Sequence, residues 1–356
     1  MALHRRAVLL FLLVILMLSG TVLGPRSAHA TTQTETCQSF NVPVTLGGIL
    51  LSTPATIYGE LCNPVGGPSH TVQLLVPGGT YGHIYWDFPY QPLNYSYVHA
   101  LTAAGYSTFN IDRIGTGRSS HPPIGLLTVT MNTNAYVVHQ IVQALRNGNI
   151  GNHSFGRVLL VGHSLGSVTC WIEAGIYHDV DGVIITGLLH HLNSVSLAGV
   201  VATLYPATLD PRFANKLLNV NYAGYLTTEP GTRGKDFYYV PGADPNVLQT
   251  DEATKETATP GEFDSFAVPI VDGISTLINV PVLVVVGQKD DLFCGIAATD
   301  CTSAATIRQA EAPFYSPKAQ LQVVAIPEAG HDINLHKTAP LWFAAAKAWA
   351  SQHLAP

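Results

Sequence analysis

Residues 157–177, RVLLVGHSLGSVTCWIEAGIY, constrain the fold more than any other stretch of the chain. Residues 157–161 are an apolar run rich in Val and Leu, the pattern of a buried strand. Gly162-His163-Ser164-Leu165-Gly166 follows, and residues 165–177 then read as a helix. A serine on a sharp strand-to-helix turn takes strained backbone angles, and glycines beside it remove side chains that would otherwise collide. The helix that begins there aims backbone N–H groups, and the positive end of its dipole, at the serine oxygen. The pattern predicts a nucleophile elbow centred on Ser164.

The remaining sequence predicts what such an elbow sits in. Two β-compatible stretches lie near 40–46 and 55–61, and turn residues follow at 64–69. Strands are predicted at 70–76, 106–112, 183–186, 282–286 and 321–326. Amphipathic helices are predicted at 95–104, 134–146 and 338–352. Alternating strands and helices from residue 70 onward imply an α/β fold, with a mostly parallel sheet covered by helices on both faces. Between the strands at 183 and 282 lies far more chain than the about 30 residues of a plain βαβ unit. The surplus, residues 188–276, reads as an insertion. It opens with a helix-compatible run at 192–205 and continues into a Pro-, Gly- and Thr-rich region carrying Tyr222, Tyr225, Phe237, Tyr238 and Tyr239. Open α/β sheets bind ligands at the C-terminal ends of their strands, so a cap or lid over that edge is expected.

Residues 1–30 read as an export signal rather than as fold. His4, Arg5 and Arg6 precede an apolar run at 7–18, and Ala28-His29-Ala30 is a cleavage signal. The run is shorter than the roughly 20 residues a membrane span needs, so no stable membrane anchor is expected. Cleavage after Ala30 removes Arg5, Arg6 and Arg26 and no acid, so the formal charge falls by three, from −6 to −9. An acidic chain without a basic cluster has no electrostatic footprint for nucleic acid. Export also suits the cysteines. Cys294 and Cys301 bracket a short loop, and Cys37 and Cys62 lie on the two N-terminal strands, so two disulfides are predicted. Cys170, on the helix after Ser164, is expected as a buried free thiol.

A serine hydroxyl needs a base to take its proton, and the base needs an acid to orient it. Two stretches supply candidates. The strand at 282–286 runs into Gly287-Gln288-Lys289-Asp290-Asp291, and the strand at 321–326 into Pro327-Glu328-Ala329-Gly330-His331. Each lies just past a strand's C-terminal end, the same edge as Ser164, and the order Ser, Asp, His is the one this architecture gives. Asp291 is the alternative acid. Of the further histidines, His163 is expected as a packing or loop residue, His190 and His191 are candidates either to line the pocket or for capping and surface roles, and His336 has no assigned role.

Four motifs together, LLVPGGTYG, DRIGTGRS, GHSLG, and GQKD with the later GH, resemble those of the α/β-hydrolase superfamily. The likeness runs from about residue 70 to the C-terminus, the insertion excepted. It implies Ser164 as nucleophile, His331 as general base and then acid, and Asp290 as orienting carboxylate. It also implies an oxyanion hole from two backbone N–H groups, Leu165 and Gly79, with Thr80 as the alternative to Gly79. Pro77 stands where these loops usually carry His. Asp112 and Arg113 are expected to fix the glycine-rich loop. The resemblance implies a secreted, esterase- or lipase-like serine hydrolase that needs no cofactor or metal. Its expected partner is a small-molecule ester, with the Tyr- and Leu-rich insertion suggesting an apolar or aromatic group. A Ser-dependent amidase, peptidase or perhydrolase, and a non-catalytic binding member, are the alternatives.

Overall fold

Short strands that are buried at every position must be covered on both faces, which is how parallel sheets differ from half-exposed antiparallel ones. β3 (Thr71–Val76), β4 (Ser107–Ile111), β6 (Gly182–Thr186) and β9 (Val282–Gly287) are of this kind, and β5 (Arg157–His163) is so except at Arg157. The computed structural model describes residues 35–47, 53–123, 129–214, 222–296 and 298–356. In it these strands join β1 (Glu35–Leu46), β2 (Thr53–Pro64) and β10 (Gln322–Ile326) in one eight-stranded sheet of order β1-β2-β4-β3-β5-β6-β9-β10. The β1–β2 and β2–β4 pairs are antiparallel, and every other pair is parallel. The export signal expected at 1–30 lies outside the described residues. No helix among the described residues is long and apolar enough to cross a membrane.

The helices gather into two groups. α2 (Met131–Arg146) packs on α3 (Leu165–Ile176), while α1 (Tyr97–Thr102) packs on the C-terminal helix α8 (Ala339–His353). Between β6 and β9 the chain forms α4 (Ser194–Val201), a two-stranded antiparallel ribbon of β7 (Leu204–Pro206) and β8 (Leu226–Thr228), then α5 (Pro245–Thr254) and α6 (Pro260–Phe266). This corrects the single helical run expected at 192–205: its last residues are extended and pair with Leu226–Thr228. The Pro-, Gly- and Thr-rich stretch also contains regular helices. Asp244 and Thr259 each cap a helix whose first residue is proline, the position where a missing N–H costs nothing. α7 (Ala304–Glu311) precedes β10.

Both expected disulfides are present. Cys37 and Cys62 face each other in the β1–β2 register, and Cys294–Cys301 closes the loop that follows β9. Cys170 is a buried free thiol.

Candidate active site

The turn after β5 explains its own sequence. Ser164 has φ 52° and ψ −118°, a conformation that costs a non-glycine residue about 1–3 kcal/mol. Its N–H donates to the Thr186 carbonyl at 2.9 Å, and its carbonyl accepts from the Ser167 N–H at 2.8 Å. A Cβ on Gly162 would meet the Gly166 oxygen and Ser167 Cα at 2.6 Å. A Cβ on Gly166 would meet the Val76 oxygen at 2.1 Å. Glycine at both positions thus lets α3 press against the end of β3, which brings the β3 loop beside Ser164.

β9 and β10 end at the same edge and their loops are bonded together: the Gln288 N–H donates to Ile326 O and the Lys289 N–H to Ala329 O, both at 2.9 Å. This brings His331 Nδ1 to 3.0 Å from Asp290 Oδ2. Asp290 is fully buried and its other oxygen accepts the Leu292 N–H at 3.0 Å, whereas Asp291 is exposed. Burial opposes a charge on His331, but the Asp290 carboxylate, through its charge and hydrogen bond, outweighs it and raises the imidazole above its usual range. The His331 ring lies 4.9 Å, centroid to centroid, from that of His163, the residue before Ser164.

His163 belongs to a different, deeper set of groups. Its ring is fully buried, with Nε2 3.0 Å from Asp332 Oδ1 and Nδ1 3.1 Å from Thr186 Oγ1. Burial, and then the neighbouring His331 charge, push it well below the ordinary imidazole range. Tyr85 stacks on it at 4.4 Å, and the Tyr81 hydroxyl donates to Asp332. His336 is a clasp for the loop bearing His331: its Nε2 accepts the Gly330 and Tyr239 N–H groups at 3.0 Å each, and Nδ1 donates to the Asp332 carbonyl at 2.8 Å.

The loop after β3 is gripped on both sides. Arg113, fully buried and pushed down to about 10 by that burial, donates to the Pro77 and Gly78 carbonyls at 2.9 Å each and pairs with Glu262. Glu262 also closes a capping box with Thr259 at the start of α6. Asp112 holds the glycine-rich loop by accepting from the His83 and Arg118 N–H groups at 2.7 and 2.8 Å. Arg233 donates to Thr80 Oγ1 at 3.1 Å and is paired with Asp251 at 2.8 Å, while the Glu256 N–H donates to Thr80 O at 2.8 Å. Thr80 itself has φ 60°. Among the described residues, no hydrogen bond uses the Gly79 or Thr80 N–H. Leu165 opens α3, and the first N–H groups of a helix have no carbonyl partner within it.

Gly79, Thr80, Ser164 and Leu165 line one pocket, whose walls are Leu197 and Val200 of α4, Phe263 and Phe266 of α6, Phe237, and Phe293 from the loop after β9. Its interior offers about 50 Å³ to the centre of a water molecule, room for a few waters. The tyrosines expected to give the insertion its substrate role mostly go elsewhere. Tyr222 and Tyr225 pack with Ala207 and Phe213 in a separate cluster, and the Tyr238 hydroxyl donates to Asp251 at 2.8 Å.

His190 is also structural: it is buried between Trp171 and Phe314 and holds Glu311 at 2.7 Å and Ser275 at 2.9 Å. His191 is exposed. Sequence reasoning missed Asp332, Tyr81, Arg233 and Asp251. Asp332 sits next to His331, a signal in plain sight. The partners of Arg233 and Tyr81 are far away in sequence or in an unrecognised helix, so no local pattern marks them.

The profile described as "Alpha/beta hydrolase family" matches residues 73–346. Among solved structures, a soluble variant of monoglyceride lipase from Saccharomyces cerevisiae in complex with a substrate analog is similar, with a TM-score of 0.58 at 16% identity, covering 88% of this chain and 96% of that one. The esterase domain of a Rhodothermus marinus protein superposes with a TM-score of 0.51 at 17% identity, covering 89% and 99%. The enol-lactonase of Burkholderia xenovorans LB400 superposes with a TM-score of 0.53 at 16% identity, covering 83% and 97%. No curated protein sequence matches the chain.

Proposed function

The chain belongs to the alpha/beta hydrolase family, and on that premise we propose that it is an exported serine hydrolase cleaving carboxylic esters through an acyl-enzyme on Ser164. In this reading Ser164 Oγ attacks the ester carbonyl while His331 Nε2 takes its proton, and Asp290 holds Nδ1 and stabilises the imidazolium. The Leu165 and Gly79 N–H groups donate to the oxyanion as it forms. His331 then gives its proton to the departing alcohol, and finally activates the water that releases the acid.

The observation that carries the proposal is the buried His331–Asp290 pair, one ring away from a serine held in a strained turn. Ester chemistry is favoured by the Leu- and Phe-walled pocket, which suits an apolar acyl or alcohol group, and by the lipase, esterase and lactonase named among similar structures. We read residues 188–276 as a cap, since α4 and α6 supply pocket walls. The two disulfides support export.

A panel of chromogenic esters, amides and aryl lactones, run on wild type and Ser164→Ala, tests this. Ester turnover confined to the wild type is expected. Ester turnover surviving the substitution would contradict the mechanism, and turnover of amides alone would redirect it to amidase chemistry.

A further inference from the structure

At the far end of α3 from Ser164 lies a cluster that the hydrolysis does not use. His139 of α2, Glu173 of α3 and Asp179, just past the α3 C-terminus, bring one donor atom each to within 4.8 Å of one another. Glu173 is fully buried, yet neither carboxylate oxygen has a hydrogen-bond partner among the described residues. A carboxyl without a partner in the interior gives up its hydration with no hydrogen bond in return. His139 Nδ1 lies 2.8 Å from Asp179 Oδ2 and 3.9 Å from Glu173 Oε1, but is aligned for a hydrogen bond with neither. Asp179 Oδ1 is also without a partner among the described residues, while Oδ2 accepts from Gln143.

Two donors that approach closely without hydrogen-bond alignment, around a buried unpaired carboxylate, are arranged as ligands of a shared ion. Donors about 2.0–2.2 Å from a tetrahedral zinc-sized cation stand about 3.3–3.6 Å apart, between the two separations seen here. One imidazole with two carboxylates is a donor set for a divalent transition metal rather than for Ca²⁺ or Mg²⁺, which favour all-oxygen sites. The ring of Tyr177 stacks on His139 at 4.0 Å and fixes its plane. Glu173 is buried, but His139 and Asp179 keep side-chain exposures of 24% and 16%, leaving an entry path and room for water ligands. The negative end of the α3 dipole adds a favourable field for a cation.

We propose that His139, Glu173 and Asp179 form a structural binding site for a divalent transition-metal ion. The ion would clip α2 to α3 and to the turn leading into β6, and so steady the helix whose other end carries the elbow. The proposal stands apart from the hydrolytic reading. Without an ion, burial and the neighbouring Asp179 carboxylate keep the Glu173 carboxyl protonated well above its usual range. A proton held between the two acids is therefore the competing account.

Zn²⁺ titration of the chelator-treated full chain by calorimetry, with melting curves alongside, separates the two. One equivalent bound in wild type, a rise in melting temperature, and affinity at least about 10–100-fold weaker in both Glu173→Gln and His139→Gln are expected. Melting curves taken without Zn²⁺ show that the variants are folded. No binding by wild type, or equal binding by wild type and folded variants, would overturn the site. Wild type that binds no Zn²⁺, beside a folded Glu173→Gln protein that melts as high or higher, would establish the shared proton instead.

Discussion

Two buried imidazole–carboxylate pairs stand side by side at the sheet edge, and they are built for opposite ends. His331–Asp290 and His163–Asp332 have the same 3.0 Å separation, and their rings are 4.9 Å apart. His163 has both nitrogens engaged, with Asp332 and Thr186, and is held far below the ordinary imidazole range. His331 spends only Nδ1 on its carboxylate and is raised. A base needs one nitrogen held and the other left for the reaction, together with an affinity for the proton it takes. A histidine bonded at both ends is a strut. On the proposed mechanism, proximity to the serine in sequence, which favours His163, is therefore a poor guide to the base.

Substitution should separate the pairs widely. His331→Gln is expected to lower ester turnover by about 10⁴–10⁶-fold with the fold intact. His163→Gln should act mainly on stability, lowering it by about 2–3 kcal/mol, because it leaves Asp332 and Thr186 short of a partner. Turnover and thermal melts of both variants measure this, and a kcat collapse in His163→Gln without loss of stability would break the comparison. The carboxylates should follow. Asp290→Asn is expected to cost about 10⁴-fold in kcat, since an amide favours the wrong imidazole tautomer. Asp332→Asn is expected to cost far less in kcat, and the exposed Asp291→Asn almost nothing.

The pH profile sharpens the same contrast. In the proposed mechanism the neutral form of His331 is the active one, and its proton affinity is raised, so kcat/KM should fall as pH drops through a value above the ordinary imidazole range. In Asp290→Asn the residual activity should titrate lower, because the substitution removes the charge that raises His331. An unmoved acid limb would show that another group sets it. A small effect on chemistry is also expected at the loop behind Asp290. Opening Cys294–Cys301 with paired serines should reduce stability by about 2 kcal/mol, read from denaturant unfolding, with turnover changed less than about tenfold.

The same contrast marks what the sequence could express. Strands such as Val282–Gly287 are legible because burial on both faces demands a continuous apolar run. The elbow is legible because only glycine fits at positions 162 and 166, and the loops bearing Asp290 and His331 because they directly follow such strands. Between β6 and β9 the signals are local but easily passed over: Asp244-Pro245 and Thr259-Pro260 are each a helix cap followed by a first-turn proline. The grip of Arg233 and Arg113 on the β3 loop was not legible at all. Its partners, Thr80 and Glu262, lie about 150 residues away, and a pair of that separation leaves no periodicity to read.

The central claim is that Ser164, and no other residue, is the nucleophile activated by His331. Intact-mass and peptide analysis after exposure to a fluorophosphonate tests it most directly. The account predicts one adduct on the peptide containing Ser164, formed rapidly by wild type and by Asp291→Asn, and nearly lost in folded His331→Gln. An adduct on another residue, or equally rapid labelling in His331→Gln, would contradict it.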